Sequence, residues 1–455
     1  MTSVLSTSIG SSKHALVFIS LIVVITIIDS QFINAFYGTN LGNPSNFHLL
    51  LFISFVIIAS VINTILMLFA KRNDAPATTS RPLLFRFAYI GTSAVQYAIC
   101  LVLLIIILEM IIFNQYNKIF SLLIVYLSRI WPAVILGVLS LTFIQWFRFA
   151  RSFSILIYGV VFSVILFLFL FTIPLLTEQF TNQPQSIYRR DYATVIQGVL
   201  VPSRHIAFVY GLVTYVLPLM IISSWILTVS MLKPYIYRIG KMKFWGIVII
   251  PLVYQLFTFV VRDANLISDL SLLDIIYSRQ FQFLMGVSYQ IAGLFFALAF
   301  LTVARKMRRK LMKNYLLISS IGIIALFCSM QPGMPFYAAY PPFGLPTLLF
   351  LGLSSYMLLV GMLGIAANVS RDGKLLQEIY KGLEVDSELL RNIGMAETQR
   401  EIERRVLPLV DKIKVSEEMR ERTDPSEEDV KTMIEEVLNE IHSKRSHVKP
   451  GDKLV

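Results

Sequence analysis

Charge is scarce in this chain, and so is every residue pattern that builds a reactive centre. Asp, Glu, Lys and Arg make up 15% of the 455 residues, against about 25% in an average soluble domain. There are only two cysteines, Cys100 and Cys328, each inside an apolar run. That excludes a disulfide-stapled scaffold and reads as two small buried hydrophobes. The five histidines are His14, His48, His205, His442 and His447, and none sits deep in an apolar run. No His-Glu-x-x-His motif and no Cys/His cluster occurs, so no zinc-type site is spelled out. A Gly-Lys-Thr/Ser phosphate loop and a Gly-x-Ser-x-Gly elbow are missing too. Nothing calls for a cofactor. An enzyme acting through Asp, Arg or Tyr stays open as the least favoured reading.

What is abundant is apolar chain. Hydrophobic residues are 56% of the total, and the mean hydropathy is +0.69. They gather in runs of about 20 residues, the length that crosses a bilayer as a helix. Alternating segments of about ten residues, the mark of a membrane β-barrel, do not appear. The fold class expected is therefore all-α: a polytopic helical membrane bundle of about ten transmembrane helices, followed by a small helical tail in water. Spans are expected near 15–36, 48–70, 87–113, 119–144, 153–176, 206–232, 244–261, 281–304, 315–330 and 345–369. The first of these could also be read as a signal peptide, but it lacks a small-x-small cleavage site. Residues 370–441 read as an amphipathic cytosolic tail and 442–455 as a disordered end.

The formal net charge of +12 divides unevenly. Residues 1–368 hold 24 Lys+Arg and 8 Asp+Glu, a balance of +16. Residues 369–455 hold 16 Lys+Arg and 20 Asp+Glu, a balance of −4. The basicity thus belongs to the membrane part, where cations sit at helix ends near anionic headgroups. The part free to act in water is acidic, which excludes nucleic acid as a partner. With a cytoplasmic N-terminus, the inner segments carry 17 Lys+Arg and the outer ones 6. That bias follows the positive-inside rule and predicts a multi-pass protein of the cell membrane with both termini in the cytoplasm.

Arg129 is the most informative single residue. It lies about ten residues into the fourth span, roughly 15 Å deep, where a charge is expensive unless it is paired or hydrated. Asp29, near the outer part of the first span, and Glu109, near the outer end of the third, are the candidate partners. The three could line a polar binding pathway or form a structural ion pair. Arg189 and Arg190, beside Tyr188 and Tyr192 in the long segment after the fifth span, are candidate anion contacts. They could equally be an interfacial aromatic-basic anchor. Asn63, Gln96, Gln255 and Gln290 lie within spans and suit interhelical hydrogen bonds. Gly352, Gly361, Gly364 and Ala367 on the tenth span allow close helix approach, inside the bundle or across a dimer seam.

From Pro346 onward nothing forbids one long helix leaving the membrane and entering the tail. In the tail Leu375, Leu376, Ile379 and Leu383 share a stripe. Thr423, Asp424 and Pro425 open a further helix with Val430, Met433, Ile434, Val437 and Ile441 on one face. Tyr340–Gly344 (YPPFG), Gly352-Leu-Ser-Ser-Tyr356, Ile393-Gly394-Met395-Ala396 and residues 399–405 together resemble a group of archaeal multi-pass membrane proteins with a cytosolic helical tail. The similarity covers mainly residues 340–440 and implies no activity. The membrane exit also looks like that of two-component receptors. It departs from them in having no phosphoacceptor histidine region and no ATP-binding glycine boxes, so a kinase is not implied.

Three functions follow as expectations. One is a receptor or scaffold whose outer-face or intramembrane sensing is coupled to a tail that docks a cytosolic partner. Another is a transporter or channel around Arg129, and the last is an intramembrane enzyme. The bilayer itself is a partner in each, and a second copy of the chain is a further candidate.

Overall fold

Each long apolar run becomes a helix, because in lipid the backbone must satisfy its own hydrogen bonds. The computed structural model describes residues 17–29, 46–73, 82–181, 185–188, 204–233, 236–263, 287–307, 310–330, 340–371, 393–400 and 403. The helices are α1 (Val17–Asp29), α2 (Asn46–Asn73), α3 (Pro82–Phe113), α4 (Lys118–Ala150) and α5 (Phe153–Thr181). They continue with α6 (Arg204–Leu232), α7 (Lys241–Asp263), α8 (Ser288–Lys306), α9 (Lys310–Ser329) and α10 (Leu349–Arg371). Residues 393–400 are helical as well, and form the described part of α11. Among the described residues, eight helices are long and apolar enough to cross a membrane. Among the described residues the chain is an all-α helical bundle.

The chain divides into two units, residues 1–399 and 400–455. The tail proper, expected from residue 370, thus gives its described α11 residues up to Gln399 to the first unit. The amphipathic stripes around Leu375 and Val430 lie outside the described residues.

The centre of the bundle is α10. It packs against α2, α3, α4 and α9, and residues 341–367 are buried without exception. By contrast, only 39% of the most apolar stretch of α2, and likewise of α3, is buried, so their other faces are left for lipid. Around this axle run α4 against α5, α5 against α6, α8 against α9 and α7 against both α6 and α8.

Glycine makes the α9–α10 contact possible. A Cβ on Gly361 would strike Ser319 Oγ, and one on Gly364 would strike the Tyr315 ring. A Cβ on Gly322 of α9 would lie 3.1 Å from Leu358 Cγ. The small residues of the tenth span therefore pack within the bundle.

Polar side chains tie the remaining helices to this axle. Asn63 Nδ2 on α2 donates to Gln96 Oε1 on α3 at 2.7 Å. Gln96 Nε2 in turn donates to the α10 carbonyl of Leu349 at 2.7 Å, and Gly352 leaves the amide room to reach it. Gln255 Nε2 of α7 donates to Ser288 O at the start of α8. Gln96→Leu is expected to destabilise the bundle by about 1–3 kcal/mol, because it strips the buried Asn63 amide and Leu349 carbonyl of a partner. Thermal unfolding in detergent would show it, and Asn63→Leu in the same background should add less than it does alone.

The two ends of the bundle differ. At the upper end, β1 (Gln115–Asn117) pairs antiparallel with β2 (Ser186–Tyr188), Tyr116 opposite Ile187. Tyr340 stacks on the fully buried Tyr116, and Tyr340 OH donates to Met110 O. Phe343 meets Phe52 and Phe55 edge-on. The aromatic, proline-rich approach to α10 is thus a lid on the helix ends. At the lower end, Asn314 Nδ2 donates to Asn73 Oδ1, and Lys71 lies over the Tyr89 ring at 4.2 Å. The exposed cations Lys71, Arg72, Arg148, Arg151, Lys233, Lys241, Lys243, Arg305 and Lys310 belong to helix ends on this side.

Candidate functional site

Arg129 lies 11 positions after the start of α4 and is 1% exposed. Its Nη1 donates to Thr172 Oγ1 on α5 at 3.0 Å. The guanidinium carbon lies 5.8 Å from the centre of the Phe169 ring, within cation–π range. Pro132 and Pro174 interrupt the two helices within one turn of this pair. Each proline withdraws an amide from the helix ladder, so the charge occupies the stretch of α4 and α5 where backbone carbonyls lose helix donors. The site missed in the sequence is Thr172. The signal available was its hydroxyl two positions before an intrahelical proline.

The structure does not gather Arg129, Asp29 and Glu109 into one group. Asp29 of α1 is fully buried, and its Oδ1 accepts the Gly344 N–H at 3.1 Å. Gly344 has φ +92°, a conformation that glycine adopts freely, and this turns its N–H toward α1. Glu109 Oε2 accepts the Asn117 N–H at 2.8 Å. Asn117 then caps α4, its Oδ1 accepting from Ile119 N. Glu109 thus fastens the turn between α3 and α4. Arg189 and Arg190 directly follow β2 and lie outside the described residues.

A narrow cavity of about 30 Å³ lies between α5, α6, α8, α9 and α10. Tyr158, Phe300, Phe327, Leu358 and Met362 line it together with Ser224. That is room for about one water-sized body, and Arg129 is not on its wall. Among the described residues no three His, Cys, Asp or Glu side chains are grouped to hold a metal ion.

A contact at the lower end was not foreseen. Glu397 of α11 is 8% exposed, and its Oε2 accepts the Trp146 Nε1–H at 2.7 Å. Trp146 is fully buried and meets Phe143 edge-on at 5.0 Å. Ile393 and Ala396 are buried beside it, and a Cβ on Gly394 would strike Val369 near the end of α10. Positions 393, 394, 396 and 397 share one face of a helical turn, and that face is the one turned to the bundle. This arrangement corrects the expectation of one unbroken helix. A straight helix would carry residue 394 roughly 38 Å beyond Val369, whereas Gly394 touches it.

Fold and contacts define a polytopic helical membrane protein with a buried central helix, pinned at its upper end by Asp29 and at its lower end by α11. The chain matches no family model, no curated protein and no solved structure.

Proposed function

We propose that the chain is an integral membrane protein of receptor or scaffold type. It has ten spans, both termini are in the cytoplasm, and the tail beyond residue 400 docks a cytosolic protein. A signal at the outer face or within the lipid bears on α10 and passes to the tail through α11. The observation that carries this reading is the seating of α11 under the bundle. Gly394 against Val369 ties it to α10, and Glu397 with Trp146 ties it to α4. A shift of α10 along or about its axis therefore changes the support of the chain that leaves for the tail. The cations at the lower end support the orientation through the positive-inside rule. The acidic balance and apolar stripes of the tail suit a helical partner surface.

Two truncations test this in native membranes. One ends at residue 403 and keeps α11, and the other ends at residue 371. Both are expected to insert, and both lose the partner captured by full-length protein. Only the shorter chain is expected to melt earlier in detergent, since only it uncovers Trp146 and Val369. Recovery of the same partner by the chain ending at 403 would show that the tail does not dock it.

A further inference from the structure

Asp29 is the buried carboxyl that the proposed function does not use. It is 0% exposed, and one oxygen takes the Gly344 N–H. The other, Oδ2, is enclosed with no hydrogen-bond partner among the described residues. The place works against an anion, since one neutral donor does little to offset the desolvation of a carboxylate.

A divalent ion is a poor occupant, since it takes six or more oxygen ligands, several of them carboxylates. No such group exists among the described residues. Thr26, one turn earlier on α1, gives its hydroxyl to Ile22 O and Val23 O. Other titratable groups on elements reaching this end include Cys328 on α9, Tyr340 before α10, Tyr116 on β1, His48 on α2, Glu109 on α3, Lys118 on α4 and Glu178 on α5. Of these, Glu109 is engaged by Asn117.

We propose that Asp29 is a proton-binding site, holding one proton on Oδ2 in the folded protein while Oδ1 keeps the Gly344 N–H. One O–H bond forms with a proton from solvent, the carboxyl goes from −1 to neutral, and no other bond changes. The neutral acid fastens α1 to the turn that opens α10, and loss of the proton loosens that fastening. This inference is independent of the tail and its partner.

Infrared spectroscopy of the full chain in lipid nanodiscs tests it. Wild-type protein at neutral pH should show a protonated-carboxyl C=O band that is missing in Asp29→Asn and shifts in deuterium oxide. Absence of that band from wild type overturns the proposal. If Asp29→Asn fails to fold, carbon-13 aspartate labelling of wild type makes the same assignment, and a band that does not shift on labelling overturns it.

Thermal melts supply the second arm. A folded state that holds an extra proton loses stability as pH rises and that proton leaves. The wild-type melting temperature should therefore fall relative to Asp29→Asn between neutral and alkaline pH, the groups common to both chains cancelling. It should be equal in sodium and choline chloride. A sodium-dependent rise in wild type alone would place a metal cation at Asp29 and overturn the proposal.

Discussion

Gly361→Leu is expected to abolish the folded bundle, and Gly361→Ala to destabilise it by about 1–3 kcal/mol, the range for an overpacked core. A Cβ at this position would strike Ser319 Oγ and would lie 2.9 Å from Tyr315 O and 3.0 Å from Ser319 N. Two of those three atoms are backbone, which cannot rotate aside. The helices α9 and α10 would have to separate. Because α10 is enclosed by α2, α3 and α4 as well, it has no free side toward which to move. Ser319→Gly should not rescue Gly361→Leu, since the backbone contacts remain. Gly364→Ala meets a side chain instead, the Tyr315 ring, and Tyr315→Leu should relieve part of its cost. Size-exclusion profile and thermal unfolding in detergent measure all five variants. A Gly361→Leu protein that is monodisperse and melts like wild type would show that this close approach is not what holds α10.

Trp146→Ala is expected to destabilise the protein by about 3–5 kcal/mol, the usual loss for a fully buried tryptophan. The indole fills the space between Phe143 and α11, and its N–H serves the Glu397 carboxylate. Trp146→Phe separates the two contributions. It keeps most of the volume but removes a hydrogen bond to a charged group, about 1.5–3 kcal/mol. Both variants should also make the chain between residues 393 and 400 cut faster by protease, because α11 loses its anchor. If Trp146→Ala unfolds earlier but residues 393–400 stay protected, then Gly394 and Val369 suffice to hold α11. The coupling to α4 would then carry nothing.

The helices were legible because the bilayer imposes a length. About 20 apolar residues are needed whatever lies beside them, so α2 to α6 and α8 to α10 could be read from their runs. The buried amides were legible for a related reason. Asn63, Gln96 and Gln255 stand out against an apolar background, and a polar group there seeks a partner on another helix. Which partner it finds was not legible. Gln96 meets a backbone carbonyl 253 positions later, and any helix carries such carbonyls. Arg129 was visible as a charge out of place, yet it meets a hydroxyl and an aromatic ring, and neither draws attention in a span. Asp29 and Glu109 looked like its natural partners on charge alone. Each instead accepts a backbone N–H, one from the Gly344 turn and one from the α3–α4 turn.

By itself, then, the sequence determined an all-α membrane bundle, the approximate limits of its helices, the uneven placement of its cations and the separate acidic character of its tail. All of these depend on composition along the chain. Only the tertiary structure decided that α10 is the axle and that α11 returns to plug the lower end. The physical reason is that lipid and protein interior are both apolar. A helix enclosed on every side and a helix bathed in lipid therefore carry the same kind of residues, and no periodicity separates them. The glycines of α10 and the turn of residues 393–397 acquire their meaning only from what lies against them: Ser319, Tyr315, Val369 and Trp146.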